Sequence, residues 1–145
     1  MTFTLPPVVR AAEGLARDIE QAVSKFRARE YRHTFGAHLR ACAWAVLTTA
    51  NRAARDRARQ AAWLEQLKWE VDELKLALQL GKQLRVFASF GQFEALARAA
   101  ADLGRQVGGW HKQHHPQGQN APARAPGQRA KTLSTRAASP YEANR

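Results

Sequence analysis

The six prolines of this chain fall at Pro6, Pro7, Pro116, Pro122, Pro126 and Pro140. The stretch between Pro7 and Pro116 is therefore free of the strongest helix breaker. Within it, apolar residues recur at steps of three and four, the period of an amphipathic helix, and no strand-like alternation occurs. Val9, Ala12, Leu15, Ala16, Ile19, Val23 and Phe26 form one such stripe, and Pro6-Pro7 suits a helix start because a proline in the first turn gives up no helical hydrogen bond. A second stripe is Phe35, Leu39, Cys42, Val46, Leu47 and Ala50, bounded by the Arg-rich segment Arg27 to Arg32 before it and by Asn51 to Arg59 after it.

A third helix is expected over roughly Asp56 to Arg85, where Leu64, Leu67, Val71, Leu74 and Leu78 alternate in threes and fours. Leu76, Leu80, Leu84 and Phe87 form a neighbouring stripe on it, an apolar arc wider than one intramolecular partner needs. That excess predicts either a subunit contact or the central helix of a monomer. Ser89 can cap a fourth helix, with Phe93, Leu96, Ala97, Ala100, Leu103, Val107 and Trp110 on one face and Gly108-Gly109 near its end. Four helices with short connections favour antiparallel neighbours, so the expected fold is all-α, an up-down-up-down four-helix bundle over residues 1–112. From residue 113 to 145 the composition shifts to Pro, Gly, Gln, Ala and Ser with scattered Arg and Lys, which predicts a disordered basic tail.

A chain of 145 residues is long enough to bury a purely hydrophobic core without disulfide or metal. Cys42 is the single cysteine, so no intramolecular disulfide can form and a reducing cytoplasmic location is expected. The N-terminus offers no signal-peptide apolar region, and no apolar run is long enough to span a bilayer. The formal net charge is +11, so an anionic partner is expected, either nucleic acid or an acidic protein. A membrane surface is disfavoured because the bundle consumes the apolar helix faces that would enter it.

An up-down bundle would gather Arg27, Arg29, Arg32, Lys82 and Arg85 at one pole. It would bring Arg52, Arg55, Arg57 and Arg59 to the other, with Arg10 and Arg105 arriving from the chain ends. Guanidinium groups suit phosphate because their planar fork donates paired hydrogen bonds, and clusters of them release counterions on a nucleic-acid backbone. Most acidic residues lie on the first and third helices, whereas the second cluster has only Asp56 beside it. The plain alternative is a solvated helix surface.

Catalytic chemistry finds no support. His111, His114 and His115 have spacings that could place two imidazoles on one helical turn, but no cysteine accompanies them and Pro116 follows at once, so no metal or other cofactor is expected. Cys42 lies on an apolar stripe and reads as a small core residue, and Asp72-Glu73 lack any motif-placed partner. Trp44, Trp63, Trp69 and Trp110 could stack on unpaired bases, but burial in the core or at a subunit contact is the expected fate at helical spacing. Gly104, Gly108 and Gly109 follow a helix and lack the lysine of a phosphate loop.

Tyr31-Arg32-His33-Thr34-Phe35-Gly36 followed by Leu39-Arg40, together with Leu103-Gly104-Arg105-Gln106-Val107-Gly108-Gly109-Trp110, resembles the accessory variability determinant proteins of diversity-generating retroelements. The resemblance spans nearly the whole helical part. It implies a four-helix bundle, assembled as a barrel-like homopentamer, that binds nucleic acid through basic surfaces and associates with the retroelement's reverse transcriptase. In that system template RNA is copied with adenine-directed errors and the cDNA replaces a variable repeat, while the accessory protein is not itself a polymerase. The related proteins encoded in ribosomal RNA intervening sequences share the bundle. Their usual Asn-Ile-Ala-Glu-Gly segment is here Asn51-Arg52-Ala53-Ala54-Arg55, a departure that favours the retroelement branch. The expected function is a non-enzymatic accessory subunit contacting polymerase and nucleic acid through the arginine clusters, with Leu76, Leu80, Leu84 and Phe87 between subunits. The alternative is a generic basic helical module that binds an acidic protein and has no nucleic-acid role.

Overall fold

A computed structural model describes residues 5–114. Helix α1 runs Pro7–Ser24, with Pro7 in its first turn and the Val9 amide donating to the Pro6 carbonyl at 3.0 Å. A short helix α2, Arg29–His33, precedes α3, Phe35–Arg55. One 3-10 turn, Arg57–Arg59, leads into α4, Gln60–Leu84, and α5 is Phe90–Gln113. Among the described residues there are thus four long helices and no strand, the all-α class that the periodicity predicts. No helix among them is long and apolar enough to cross a membrane. Residues from 115 onward, where most of the expected tail lies, are outside the described residues.

Contacts fix how the helices run. Glu20 meets Arg40 at 2.8 Å and Val23 faces Gly36, so α1 and α3 are antiparallel. Phe35 lies against Gly81 while Arg52 lies over Trp63, which makes α3 and α4 antiparallel. Lys82 lies over Phe93 and Val71 faces Gly104, so α4 and α5 are antiparallel as well. The core they enclose is the expected one: Ile19, Val23, Leu39, Val46, Leu64, Leu67, Val71, Leu74, Leu78, Leu103 and Val107 are all buried. Among the described residues, those up to Trp110 make up one compact unit.

Two glycines set the close approaches. A Cβ on Gly36 would sit 2.6 Å from Val23 Cγ1 and 2.9 Å from the Tyr31 carbonyl oxygen, so only glycine lets the start of α3 press against α1 and α2. A Cβ on Gly81 would meet the rings of Phe35 and Phe87, both at 2.9 Å. Around this end Phe26 packs edge-on to Phe87 at 5.6 Å between centroids, and Phe87 meets Phe93 at 5.7 Å.

Several expectations are corrected. Helix α2 occupies the Arg-rich segment read from sequence as a connection, and it buries no residue of its own. Helix α4 begins at Gln60, four residues later than expected, because Asp56 stops α3 and caps the 3-10 turn. Phe87 does not extend the outer stripe of α4: it is only 5% exposed and belongs to the phenylalanine cluster. The reason is that α4 ends at Leu84 and the chain reverses, carrying Phe87 inward. Trp44 and Trp69 are not core residues but are 65% and 66% exposed, and Trp63 and Trp110 are half-buried.

Candidate nucleic-acid interface

The α3–α4 turn carries four arginines, and one of them, Arg59, pairs with the carboxylate of Asp56. Asp56 accepts the Arg59 amide at 3.3 Å and the Trp63 indole N–H at 3.0 Å, and the Arg59 guanidinium approaches it to 3.7 Å. The Trp63 hydrogen bond, followed by the amide and charge of Arg59, outweighs the upward pull of burial and holds the Asp56 carboxyl below its ordinary range. Arg52 lies 5.4 Å from the centroid of the Trp63 ring, within cation–π range. The Arg55 Nε donates to Asn51 Oδ1 at 3.1 Å. All four arginines are exposed, but Arg52 and Arg59 are already engaged in holding the turn.

The opposite end is built differently. Helix α4 stops in a Schellman arrangement: the Val86 amide donates to the Gly81 carbonyl at 3.2 Å and the Arg85 amide to that of Lys82 at 3.1 Å. Arg85 takes the left-handed position, φ 58°, where glycine or asparagine is usual. The Arg27 amide donates to the Val86 carbonyl at 3.0 Å, and its guanidinium reaches the Ala88 carbonyl at 3.5 Å, tying the end of α1 to the α4–α5 connection. As expected, Ser89 caps α5, its Oγ accepting the Gln92 amide at 3.1 Å while Gln92 Oε1 accepts the Ala88 amide at 3.2 Å. A groove of about 300 Å³ results, lined by Arg27, Lys82, Arg85, Ser89, Phe90 and Phe93.

The structure brings Arg27, Lys82 and Arg85 together as the bundle argument expects, but separates Arg32 from their task. Arg32 is half-buried, donates to the Phe26 carbonyl at 3.3 Å, and its own carbonyl accepts from Arg40. Arg29 is exposed on α2. Arg105 pairs with Asp102 and lines a second groove with Lys68, Asp72 and Lys75 between α4 and α5. On the outer face of α4, Leu76 is 72% exposed and Leu80, Leu84 and Trp69 share that face, so the expected outward stripe exists without Phe87.

Phe90, 63% exposed in the basic groove, was not anticipated as a site residue. The available signal was its position three residues before Phe93, one step outside the buried stripe of α5. Cys42 is half-buried, with His38 Nε2 3.6 Å from its sulfur. Burial, then the charge of Glu73, pushes its thiol up and keeps it protonated at neutral pH. No group of three or more His, Cys, Asp or Glu among the described residues is arranged to hold a metal, and His115 lies outside them.

No protein-family model matches the chain, nor does any curated protein or solved structure.

Proposed function

We propose that this chain is a non-enzymatic accessory subunit of a diversity-generating retroelement, binding the reverse transcriptase and template RNA or cDNA in the cytoplasm. The observation that carries the binding part is the placement of exposed cations at both ends of a rigid helical frame, where an extended polyanion can meet several at once. Support for the retroelement assignment is the pair of sequence motifs at Tyr31–Gly36 and Leu103–Trp110; the first falls at the α2–α3 boundary with its close approach at Gly36, and the second lies within the last turns of α5. In this reading the outer face of α4, with Leu76, Leu80 and Leu84, joins subunits of a homopentamer. Five copies of a 16.2 kDa chain would weigh about 81 kDa.

Within the first arginine cluster, Arg55 and Arg57 are the better contacts to test, because Arg59 and Arg52 also hold the turn. Replacing both by glutamate should weaken RNA or polymerase binding at least tenfold and, for a single strand, flatten the salt dependence by ~1–1.5 in slope. Helical content should be unchanged by circular dichroism. Undiminished binding removes this turn from the interface, and a salt-independent affinity transfers the function to an acidic protein partner.

A further inference from the structure

The groove at the α4–α5 connection combines features that together specify a ligand more narrowly than positive charge does. Arg27, Lys82 and Arg85 all border it, and no carboxylate lines it. None of the three has an ion-pair partner among the described residues, in contrast to Lys68, Lys75 and Arg105 in the neighbouring groove, which pair with Glu65, Asp72 and Asp102. The N-terminal end of the 24-residue helix α5 opens at the same place with no acidic residue in its first turn, so its dipole adds to the positive field. Among the described phenylalanines only Phe90 is exposed, and it stands in the middle of this field. Lys82 Nζ lies 5.9 Å from the Phe90 centroid and 5.4 Å from that of Phe93, and the Phe93 ring supports Phe90 from 5.8 Å.

A bare phosphate would use the cations and leave the exposed ring without a role. An aliphatic ligand would use the apolar lining of Phe87, Phe90 and Phe93 and leave the three cations without a role. A planar base joined to a phosphate uses both. We propose that this groove is a subsite for an unpaired nucleotide of a single strand, with the base stacked on Phe90 and the adjoining phosphates drawn to Arg27, Lys82 and Arg85. A duplex cannot offer a free base face, so the subsite selects single-stranded segments. Arg85 in its left-handed position fits this role, because an unfavourable backbone state at a groove is a common mark of function. The inference deepens the nucleic-acid part of the proposed function and rests on it for the kind of polymer bound.

The test is fluorescence anisotropy on the full chain with labelled oligouridine, oligothymidine and a hairpin RNA duplex. Variants Phe90→Leu, which keeps an apolar side chain but removes the π face, and Arg85→Gln are compared with the parent. Phe90→Leu should weaken binding of either single strand roughly 5- to 150-fold, the range for loss of one stacked base, with the salt slope unchanged. Duplex binding should not move. Arg85→Gln should weaken the same strands and flatten the salt slope by ~0.7. Oligouridine against oligothymidine tells RNA from DNA. Equal loss on strand and duplex, or no loss on either, overturns the subsite while leaving the wider nucleic-acid reading standing. A parent protein that binds neither strand nor duplex overturns both. A change in native mass on Phe90→Leu reassigns the ring to a subunit contact, and lost pelleting with phosphatidylserine vesicles at intact oligonucleotide affinity reassigns it to a membrane. Either result overturns the proposal.

Discussion

The α3–α4 turn and the α4–α5 connection lie at opposite ends of α4, and each gathers several cations, yet only one of them contains an acid. At the first, Asp56 draws in Arg59 and Trp63, and Trp63 in turn carries Arg52 on its ring. At the second, Arg27, Lys82 and Arg85 border a groove without a carboxylate. The difference teaches that a count of arginines in sequence is a poor measure of binding capacity. A guanidinium paired with a carboxylate must give up that charge before it meets a phosphate, whereas that of Arg27, which donates only to the neutral Ala88 carbonyl, has no ionic partner to lose. The groove between α4 and α5 extends the point, since its cations each have an acid about one helical turn away.

The two ends also differ in what holds them, and the largest expected effect follows from that. The groove end rests on a close backbone approach at Gly36, next to Val23 and the Tyr31 carbonyl. Gly36→Ala should destabilise the fold by about 1–3 kcal/mol, because a carbonyl in a helix cannot swing aside as a side chain can. Urea unfolding followed by circular dichroism measures it. An unchanged midpoint would mean that α2 yields freely and that this end is no more rigid than the other.

The polar clasp at the other end should matter less and should depend on pH. Asp56→Ala removes the acceptor for Arg59 and Trp63 and should lower the melting temperature by only a few degrees. The Asp56 carboxyl is held below its ordinary value of 3.8 in the fold, so its contribution is present above that value and is lost as pH falls through the depressed one. Melting the parent and Asp56→Ala from neutral pH down to about pH 3 and below should therefore show their gap closing at the acid end. A gap constant across that range would assign the clasp to packing of Trp63 and not to the carboxylate.

What the sequence showed and what it hid divide along the same line. The stripes of the long helices were legible because burial repeats at every turn, from Val9 to Val23 and from Leu64 to Leu78. The helix starts at Pro7 and after Ser89 were legible too, but the end of α4 was not. Phe87 follows Leu84 at helical spacing, and the stop between them is carried by Arg85, which lacks the glycine that usually announces it. Helix α2 buries nothing, so no periodicity could reveal it. Helical spacing left the core and a subunit contact both open for Trp44 and Trp69; the structure excludes the core, and Trp69 shares its outward helical face with Leu76 and Leu80. At the candidate site, the positions of the cations were readable, but their engagement was not. Asp56 meets Trp63 two helical turns further on, a contact that exists only after the chain has folded around the turn.

The smallest stability effect is the one that separates the two ends most sharply. A non-glycine residue in the left-handed conformation costs roughly 1–2 kcal/mol, partly offset when glycine replaces it by the roughly 0.5–1 kcal/mol that glycine loses in ordering. Arg85→Gly should therefore leave the fold as stable as before or up to about 1 kcal/mol more stable, while single-strand affinity falls. Arg57 has no such strain to release, so Arg57→Gly should weaken binding without any gain in stability. Paired urea titrations and anisotropy curves on the two variants test this directly. Opposite movements of stability and affinity at Arg85 would show an arginine held in an unfavourable backbone state at the place where a cation faces the groove. A loss of stability at Arg85→Gly would instead make that arginine part of the scaffold, and would remove the backbone argument for function at this end while leaving the charge argument to stand alone.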